Sequence, residues 1–440
     1  MRSRRIRSSD PSTDRSSTER GVDVYLLPAV VGGGLGDIEE VLAAGRYLST
    51  AGFPLILYRE AGRPLPPSVD GPWEWPPVER RNRIRRRSRA ALTVAPSWGV
   101  SAGPSRPIRF GRGGPWEVEA QLIEREYGPE RTLHVSLEEF ARTLPSTAET
   151  RERFREGGVP ARALGSRVRK ARYAKEVEAF RSAFRAFRGF DRPNVLHLFA
   201  TFRPDPAFGR EFPEAVQTGP LRSGRAESAR SRSRGSRPRE WVWYASPSSA
   251  ERIAPAVLEG LRDVRPRVRL YVRSPRPWPS VKEMSGIRMV TAPLAPRAWR
   301  ARFREAELRI VTGSRTLLEA MEVGGPFLYF NGVLGRGAGR RRHRPEKIIA
   351  WLELARRAGV ARALRADLAD FSRGRRVAEV VRRAADRADG WRRFPEALAP
   401  RGFAAGRQDA GRVLVTVARE LSRPDARASR IVARWRRSNP

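Results

Sequence analysis

Cysteine is absent from the chain of 440 residues, so disulfide bonds and thiolate metal sites are excluded. The three histidines are scattered and do not give the spacing of a metal site, and no Asp-x-Asp pair of the kind that holds Mg²⁺ under a diphosphate occurs. No apolar run reaches the roughly 18 residues of a membrane-spanning helix. The first residues, MRSRRIRSSD, lack the apolar core of a secretory signal. These absences predict a cytoplasmic protein that uses no metal or other cofactor.

Lysine is nearly absent as well, because it occurs only at positions 170, 175, 282 and 347. Arginine therefore supplies almost all of the net charge of +39, in clusters at 80–89, 222–239, 340–344 and 434–437. The clusters are not interleaved with the aromatic residues of a single-strand stacking platform, and no known nucleic-acid-binding motif occurs, so nucleic acid is not favoured as a partner. Two interpretations stay open: a drift in composition toward arginine, and a basic face that attracts an anionic partner such as the inner face of a membrane.

What is present is an alternation of strand and helix patterns in both halves of the chain. VDVYLLPAVV (22–31) is a β-branched run typical of a buried parallel strand, and a glycine turn, a helical pattern and the strand PLILYRE follow it. ALTVAPSWG (91–99), NVLHLF (194–199), WVWYA (241–245), VRLYV (268–272), IRMVT (287–291), LRIVT (308–312) and FLYF (327–330) predict further strands. Residues 136–190 and 346–359 are predicted to be helical. The fold class expected is α/β, with two Rossmann-like, doubly wound parallel sheets.

The pattern divides the chain into five segments. We expect a disordered basic tail over 1–20, an N-terminal domain over 21–222, a Ser/Arg-rich linker or loop over 223–239, a C-terminal domain over 240–390 and C-terminal helices over 391–440 that pack back across the domains.

The first candidate site is the glycine turn Gly32-Gly33-Gly34-Leu35-Gly36, which ends at Asp37. A turn of this kind between a strand and a helix directs backbone N–H groups and the helix dipole toward an anion or a sugar. Asp37 has two open interpretations, an N-cap that binds free N–H groups and a general base.

The second candidate site runs from Thr312 to Pro326. Gly313, Ser314 and Thr316 lie at a strand-to-helix turn, where backbone and hydroxyl groups suit a phosphate. The carboxylate of Glu319, three residues after Thr316, is able to accept hydrogen bonds from both hydroxyls of a ribose. The alternative is that Thr316 and Glu319 form a capping box that only starts the helix.

Two weaker candidates lie on either side of this segment. Ser246, Ser248 and Ser249 follow the first strand of the second half and predict either a diphosphate cradle or a plain serine-rich helix cap. His343, in the stretch RRRHRPEK, is a candidate contact to a phosphate or an acceptor, and the alternative is a solvated basic loop. The isolated His134 and His197 are expected to be buried, satisfied residues.

These motifs resemble those of GT-B-fold glycosyltransferases, most closely the MurG-like and UDP-glycosyltransferase-like group. The glycine turn and helix over 32–53 look like the first loop of that group. Its second-domain pattern, G-x-x-T-x-x-E-A-x-x-x-G-x-P, is matched by Gly313, Thr316, Glu319, Ala320, Gly324 and Pro326. The His-Gln-x-x-Asn that usually follows keeps only its histidine, because Arg344 and Lys347 stand in place of the glutamine and asparagine.

The resemblance implies a metal-independent, inverting transfer of a hexosyl or N-acetylhexosaminyl group from a nucleoside-diphosphate sugar, most plausibly UDP-linked, to an acceptor hydroxyl. Its N-terminal domain would bind the acceptor, with a lipid-linked one as an option, and its C-terminal domain would bind the donor. By the same resemblance Glu319 binds the ribose, residues 246–249 and 313–316 bind the diphosphate, His343 and Arg344 lie beside the donor, and Asp37 takes the place of a histidine base. A UDP-sugar 2-epimerase, a non-catalytic scaffold and a nucleic-acid-binding protein are the alternatives.

Overall fold

The structure is a computed structural model that describes residues 21–28, 36–58, 75–96, 115–139, 193–200, 215–219, 221, 239–244, 247–262, 264, 268–273, 287–290, 296–324, 326–330, 332–333, 342–343, 351–352, 355–356, 359–386, 391 and 409–438. The predicted tail over 1–20 and most of the predicted linker over 223–239 lie outside these residues.

The N-terminal sheet has seven strands in the order β3-β2-β1-β4-β5-β6-β7, and every neighbouring pair is parallel. The strands are β1 Val22–Leu26, β2 Leu55–Tyr58, β3 Val78–Arg81, β4 Ala90–Pro96, β5 Thr132–Glu139, β6 Val195–Ala200 and β7 Ala215–Thr218. All residues of β1, β2, β4, β6 and β7 are buried, as a parallel sheet covered on both faces requires.

The C-terminal sheet has five parallel strands in the order β10-β9-β8-β11-β12. They are β8 Arg239–Tyr244, β9 Val268–Arg273, β10 Ile287–Val290, β11 Leu308–Thr312 and β12 Phe327–Phe330. A short antiparallel pair follows, β13 Gly332–Val333 with β14 Arg342–His343.

The longer helices connect and cover these strands. They are α1 Gly36–Thr50, α2 Pro115–Tyr127, α3 Pro247–Leu261, α4 Pro296–Glu305, α5 Ser314–Val323, α6 Arg362–Ser372, α7 Val377–Ala385, α8 Ala410–Leu421 and α9 Ala428–Arg437. A single 3-10 turn, Pro129–Arg131, precedes β5. Two doubly wound parallel α/β units are therefore present, and the predicted fold class is confirmed.

Helix α1 shows how the sequence pattern produces this packing. Ile38, Val41, Leu42 and Leu48 recur at helical spacing, and all four are completely buried. The helix ends where Gly52 adopts a φ of 87°, a left-handed conformation that glycine tolerates.

The last two helices of the chain belong to the core of the N-terminal unit. Val413, Leu414 and Val417 of α8 are buried in one cluster with the strands of the N-terminal sheet. On α9, Ile431 and Val432 join the same cluster. The chain therefore crosses from the first unit to the second after Leu221, and it has returned to the first unit by Asp409.

Two expectations about local structure need correction. Residues 136–139 are strand rather than helix, because β5 runs to Glu139, and residues 140–190 lie outside the described part of the chain. The predicted linker over 223–239 extends one residue too far, because Arg239 is the first residue of β8. His134 is buried as expected, and its ring hydrogen-bonds Thr93 at 2.7 Å and Glu124 at 2.7 Å.

We predict that Gly411→Ala destabilises the N-terminal unit by about 1–3 kcal/mol, the usual cost of overpacking. A Cβ at this position in α8 would lie 2.4 Å from the Cγ of Tyr47 on α1. The free energy of unfolding, from urea titration, checks this. In the background Tyr47→Ala, the glycine substitution should cost much less, because the obstructing ring is gone.

Gly260→Ala is the matched control for the smaller cost expected in Tyr47→Ala, because its clash is with backbone instead of a side chain. Its Cβ would meet the backbone carbonyl oxygen of Ala378 at 2.4 Å, which no side-chain truncation removes. An unchanged stability of Gly411→Ala would contradict the close helix crossing.

Candidate functional site

The crevice of the C-terminal sheet lies between β8 and β11, where the strand order switches direction. The chain adds β9 and β10 on one side of β8 and then β11 and β12 on the other. Right-handed crossovers in opposite directions put the following helices on opposite faces, and the loops at the carboxyl ends of the two central strands leave a crevice between them. The Thr312 hydroxyl donates to the Tyr244 carbonyl at 3.0 Å and so fixes the two strand ends together.

Helix α5 begins at this crevice with a glycine. Gly313 is the N-cap, with φ 88° and ψ 163°, a conformation that a side chain would strain. Among the described residues nothing lies within 4 Å of the position that a Cβ would take there. A helix start leaves its first N–H groups without partners in the helix, so open space and backbone donors coincide at Gly313.

The Thr316 hydroxyl at this turn is bonded to the preceding strand. Thr316 Oγ1 donates to the Thr312 carbonyl at 2.5 Å, and Thr316 is 9% exposed. Its hydrogen is therefore engaged with the strand that precedes the helix, while its role toward a phosphate stays a prediction. Ser314 is the first residue of α5, and its side chain lies outside the described atoms.

The helix start also excludes the capping-box alternative. Gly313 occupies the N-cap, so Thr316 is the third residue of the helix and is not in a position to cap it. Glu319 is then not needed for the helix start.

Glu319 lies one turn further along α5, at the boundary between the two units. Its side chain is 28% exposed, and its Oε1 is 3.7 Å from Nε of Arg315. Burial raises the pKa of the Glu319 carboxyl to about 7, the negative charges of Glu39 and Glu322 add to the rise, and Arg315 and Arg46 oppose it.

Because Glu39 and Arg46 belong to α1, the Glu319 carboxylate faces the other unit. Helices α1 and α5 are in direct contact. The two candidate loops that precede these helices are roughly 280 residues apart in the sequence.

Helix α1 starts at the corresponding switch point of the N-terminal sheet. The strand order changes direction between β1 and β4, and the glycine turn follows β1. Gly33 and Gly34 lie outside the described residues, Gly36 is the first residue of α1, and Asp37 is the second. Asp37 therefore lies in the first turn rather than at the N-cap, and its side chain is not among the described atoms. Its assignment as a base stays a prediction.

The remaining candidates are described only in part. Ser248 and Ser249 lie in the first turn of α3, which follows β8, but their side chains are outside the described atoms, as is all of Ser246. His343 lies in β14, where its backbone pairs with Gly332. Arg344 lies outside the described residues. The strand order thus brings α3 and α5 to one crevice.

Arg315 is a site residue that the sequence motifs did not single out. It is 3% exposed, and its Nη1 donates to the Leu221 carbonyl at 2.5 Å, across to the N-terminal unit. The available signal was an arginine inside the run Thr312-Gly313-Ser314-Arg315-Thr316, for which the resemblance implied only that residues 313–316 together bind the diphosphate.

Much of the described arginine lies away from this crevice. The cluster at 80–89 immediately precedes β4, and its backbone is held by the buried Asp23 carboxylate, which accepts from the N–H groups of Arg87 and Ser88 at 3.1 Å each. In the cluster at 434–437, Arg436 Nη2 donates to the carbonyl of Val195 at the start of β6. Arg87, just before β4, and Arg436 therefore lie at the amino-terminal edge of the N-terminal sheet, opposite to the glycine turn, whereas Arg80 and Arg81 end β3. Membrane contact stays a prediction, and no helix among the described residues is long and apolar enough to cross a bilayer.

No protein-family model matches the sequence, and a search of curated protein sequences finds no match. Among solved structures the chain is similar to MurG of Acinetobacter baumannii, with 12% identity over 90% of this chain and 98% of MurG and a TM-score of 0.41. It is similar to UGT2 of Phytolacca americana, solved with UDP-2-fluoro-glucose and pterostilbene, with 10% identity over 95% and 99% of the chains and a TM-score of 0.43. It is also similar to the spinosyn rhamnosyltransferase SpnG, solved with thymidine diphosphate, with 11% identity over 90% and 99% and a TM-score of 0.43.

MurG, which the sequence motifs resemble, is thus also a structural neighbour. Scores and identities this low carry no conclusion about substrate, and the architecture rests on the strand order and register given above.

We predict that Glu319→Gln raises the melting temperature at pH 8 more than at pH 5. The native carboxyl keeps its proton up to about pH 7, whereas an exposed glutamate loses it near its ordinary value, so the native state binds more protons between the two values and is destabilised as the pH rises through this range. Glutamine removes that dependence. Calorimetry of both proteins from pH 5 to pH 8 checks this. A difference in melting temperature that stays constant over this range would contradict the raised pKa of the Glu319 carboxyl.

Proposed function

We propose that the protein is a glycosyltransferase that moves a sugar from a UDP-linked nucleoside-diphosphate sugar to an acceptor hydroxyl. The observation that carries the proposal is the contact between α1 and α5, the helices that start at the switch points of two doubly wound sheets. Ligands of open α/β sheets bind in the crevices at such points. Two facing crevices suit a reaction that joins two substrates.

The donor is assigned to the C-terminal unit because of the groups at the start of α5. Gly313 leaves open space beside backbone N–H groups, which suits a diphosphate. Glu319, one turn away and partly exposed, is able to accept hydrogen bonds from a ribose. Ser248 and Ser249, at the start of α3, are the proposed second contact to the diphosphate, and His343 with Arg344 the proposed contacts beside the sugar.

The proposed reaction is a direct displacement at the anomeric carbon. The acceptor hydroxyl lies against the N-terminal unit, and Asp37 takes its proton as the oxygen attacks. The bond between the anomeric carbon and the phosphate oxygen breaks, and the nucleoside diphosphate leaves with the electron pair. Because the oxygen attacks the face opposite to the leaving group in a single displacement, the transfer inverts the anomeric configuration. The N-terminus of α5 stabilises the charge that develops on the leaving group, and this takes the place of a metal ion.

We predict that UDP raises the melting temperature of the wild-type protein and that Glu319→Ala abolishes most of the shift. The substitution removes the acceptor for the ribose hydroxyls and leaves the helix start intact. Thermal-shift titration with UDP, dTDP, ADP and GDP provides the measurement and identifies the base. Glu259→Ala, an exposed carboxylate near the end of α3, is the matched control and should keep the full shift. No stabilisation of the wild-type protein by any of the four nucleotides would refute the proposal.

We predict that Asp37→Asn lowers kcat by about 100-fold or more, the usual contribution of a general base, and changes the dissociation constant of UDP less than twofold. The assay follows release of UDP from UDP-glucose and UDP-N-acetylglucosamine over a panel of hydroxyl acceptors, with and without EDTA. Activity should survive EDTA. Conversion of UDP-N-acetylglucosamine to its 2-epimer without an acceptor would instead identify an epimerase.

A further inference from the structure

The described residues that flank the two passages of the chain between the units lie side by side. Gly219, just before the outgoing passage, forms a β-bridge with Asp409, where the chain has returned. The N–H of Ala410 donates to the Gly219 carbonyl at 3.1 Å, and Asp409 caps α8 by accepting from the N–H of Arg412 at 2.8 Å. We call Gly219, Leu221, Asp409 and Ala410 together the interdomain junction. Hinges of domain motion are a few loop or element-terminal residues, so an axis of rotation between the units is expected at this junction.

Arg315 connects the start of α5 directly to this junction. Its Nη1 donates to the Leu221 carbonyl at 2.5 Å, and Leu221 is 1% exposed in the core of the N-terminal unit. On its other side, Nε lies 3.7 Å from the Glu319 carboxylate. One buried side chain therefore spans the junction, the proposed phosphate loop and the proposed ribose contact.

We propose that Arg315 is a positioning residue that holds the start of α5 against the interdomain junction, so that Gly313 and Glu319 keep one orientation toward the N-terminal unit. The predicted effect on nucleotide binding rests on the proposed function. The attachment of Arg315 to the junction does not depend on it. Groups close to an axis of rotation move least, and the donor contacts at the start of α5 are therefore preserved while the units rotate. The Arg315 side chain that holds them there is directed to Leu221 and Glu319 and is not itself a contact to substrate.

The chemistry of the side chain fits this role. A guanidinium stays charged and carries five N–H donors in a planar fork, so it is able to donate to a carbonyl and face a carboxylate at the same time. Lysine has a single nitrogen and satisfies one of the two. Leucine satisfies neither and leaves the Leu221 carbonyl and the Glu319 carboxylate without the cation.

Arg309 is a matched control in the same unit. It lies on β11, four residues before Gly313, and is 1% exposed. Its Nε donates to the Phe303 carbonyl at 2.5 Å and its Nη2 to the Arg304 carbonyl at 2.7 Å, both within the C-terminal unit. A substitution there removes an equally buried guanidinium without touching the junction.

The test compares Arg315→Leu, Arg315→Lys and Arg309→Leu with the wild-type protein in two measurements. The first measurement needs no ligand. It follows amide hydrogen exchange by mass spectrometry in the peptide that contains Ala410, whose N–H donates to the Gly219 carbonyl. We expect about 10-fold faster exchange in Arg315→Leu, as loss of a charged hydrogen bond would give, a smaller change in Arg315→Lys, and no change in Arg309→Leu even where its melting temperature falls.

The second measurement is the dissociation constant of UDP by calorimetry. We expect about a 10-fold increase in Arg315→Leu by the same reasoning, less than twofold in Arg309→Leu, and a much smaller effect of Arg315→Leu in the background Glu319→Ala, because the residues act together. Unchanged Ala410 exchange in both Arg315 variants would overturn the attachment to the junction. Equal weakening of UDP binding by Arg309→Leu and Arg315→Leu would reduce Arg315 to a stabilising residue.

If the wild-type protein binds no nucleotide, the proposed function fails, while the exchange result still decides the role of Arg315 at the junction. If Arg315→Leu does not fold, Arg315→Lys decides alone: unchanged exchange and affinity in that variant would contradict the proposal.

Discussion

Each sheet changes its direction of strand addition once, between β1 and β4 in the first unit and between β8 and β11 in the second. Parallel strands direct all loops that follow them to one edge of the sheet, and the switch in order separates two of these loops to leave a crevice. The contact of α1 with α5 sets the two crevices beside each other. The positions of the starts of α1, α3 and α5 follow from this constraint.

Charge in the molecule is divided between two places with different environments. At the amino-terminal edge of the first sheet, the buried Asp23 carboxylate accepts from the N–H of the exposed Arg87, and Arg436 donates to the Val195 carbonyl. At the boundary between the units, by contrast, Arg315 is buried against a carbonyl and Glu319 is partly buried beside a second carboxylate. Among the described residues, the arginines of the clusters at 80–89 and 434–437 therefore lie apart from the arginine that is buried at the site.

Local pattern was sufficient for most of the strands and for the helix start at Gly313, because burial on both faces of a parallel sheet forces continuous apolar runs and a left-handed turn requires glycine. It was insufficient for β3, whose VERR sequence at a sheet edge has little apolar content, and for the strand at 136–139, which continues a buried strand into charged residues. Arg315 was missed for another reason. Its partner, Leu221, is 94 positions away in sequence, and only the packing of the units reveals the pair.

The central claim is that the start of α5 binds the diphosphate of a nucleotide, with the ribose on Glu319. A crystal structure of the protein grown with UDP tests it most directly. The account predicts phosphate oxygens within hydrogen-bond distance of the N–H groups of residues 314–316, and ribose hydroxyls on the Glu319 carboxylate. UDP bound elsewhere, such as at the glycine turn after β1, with the start of α5 empty, would contradict it.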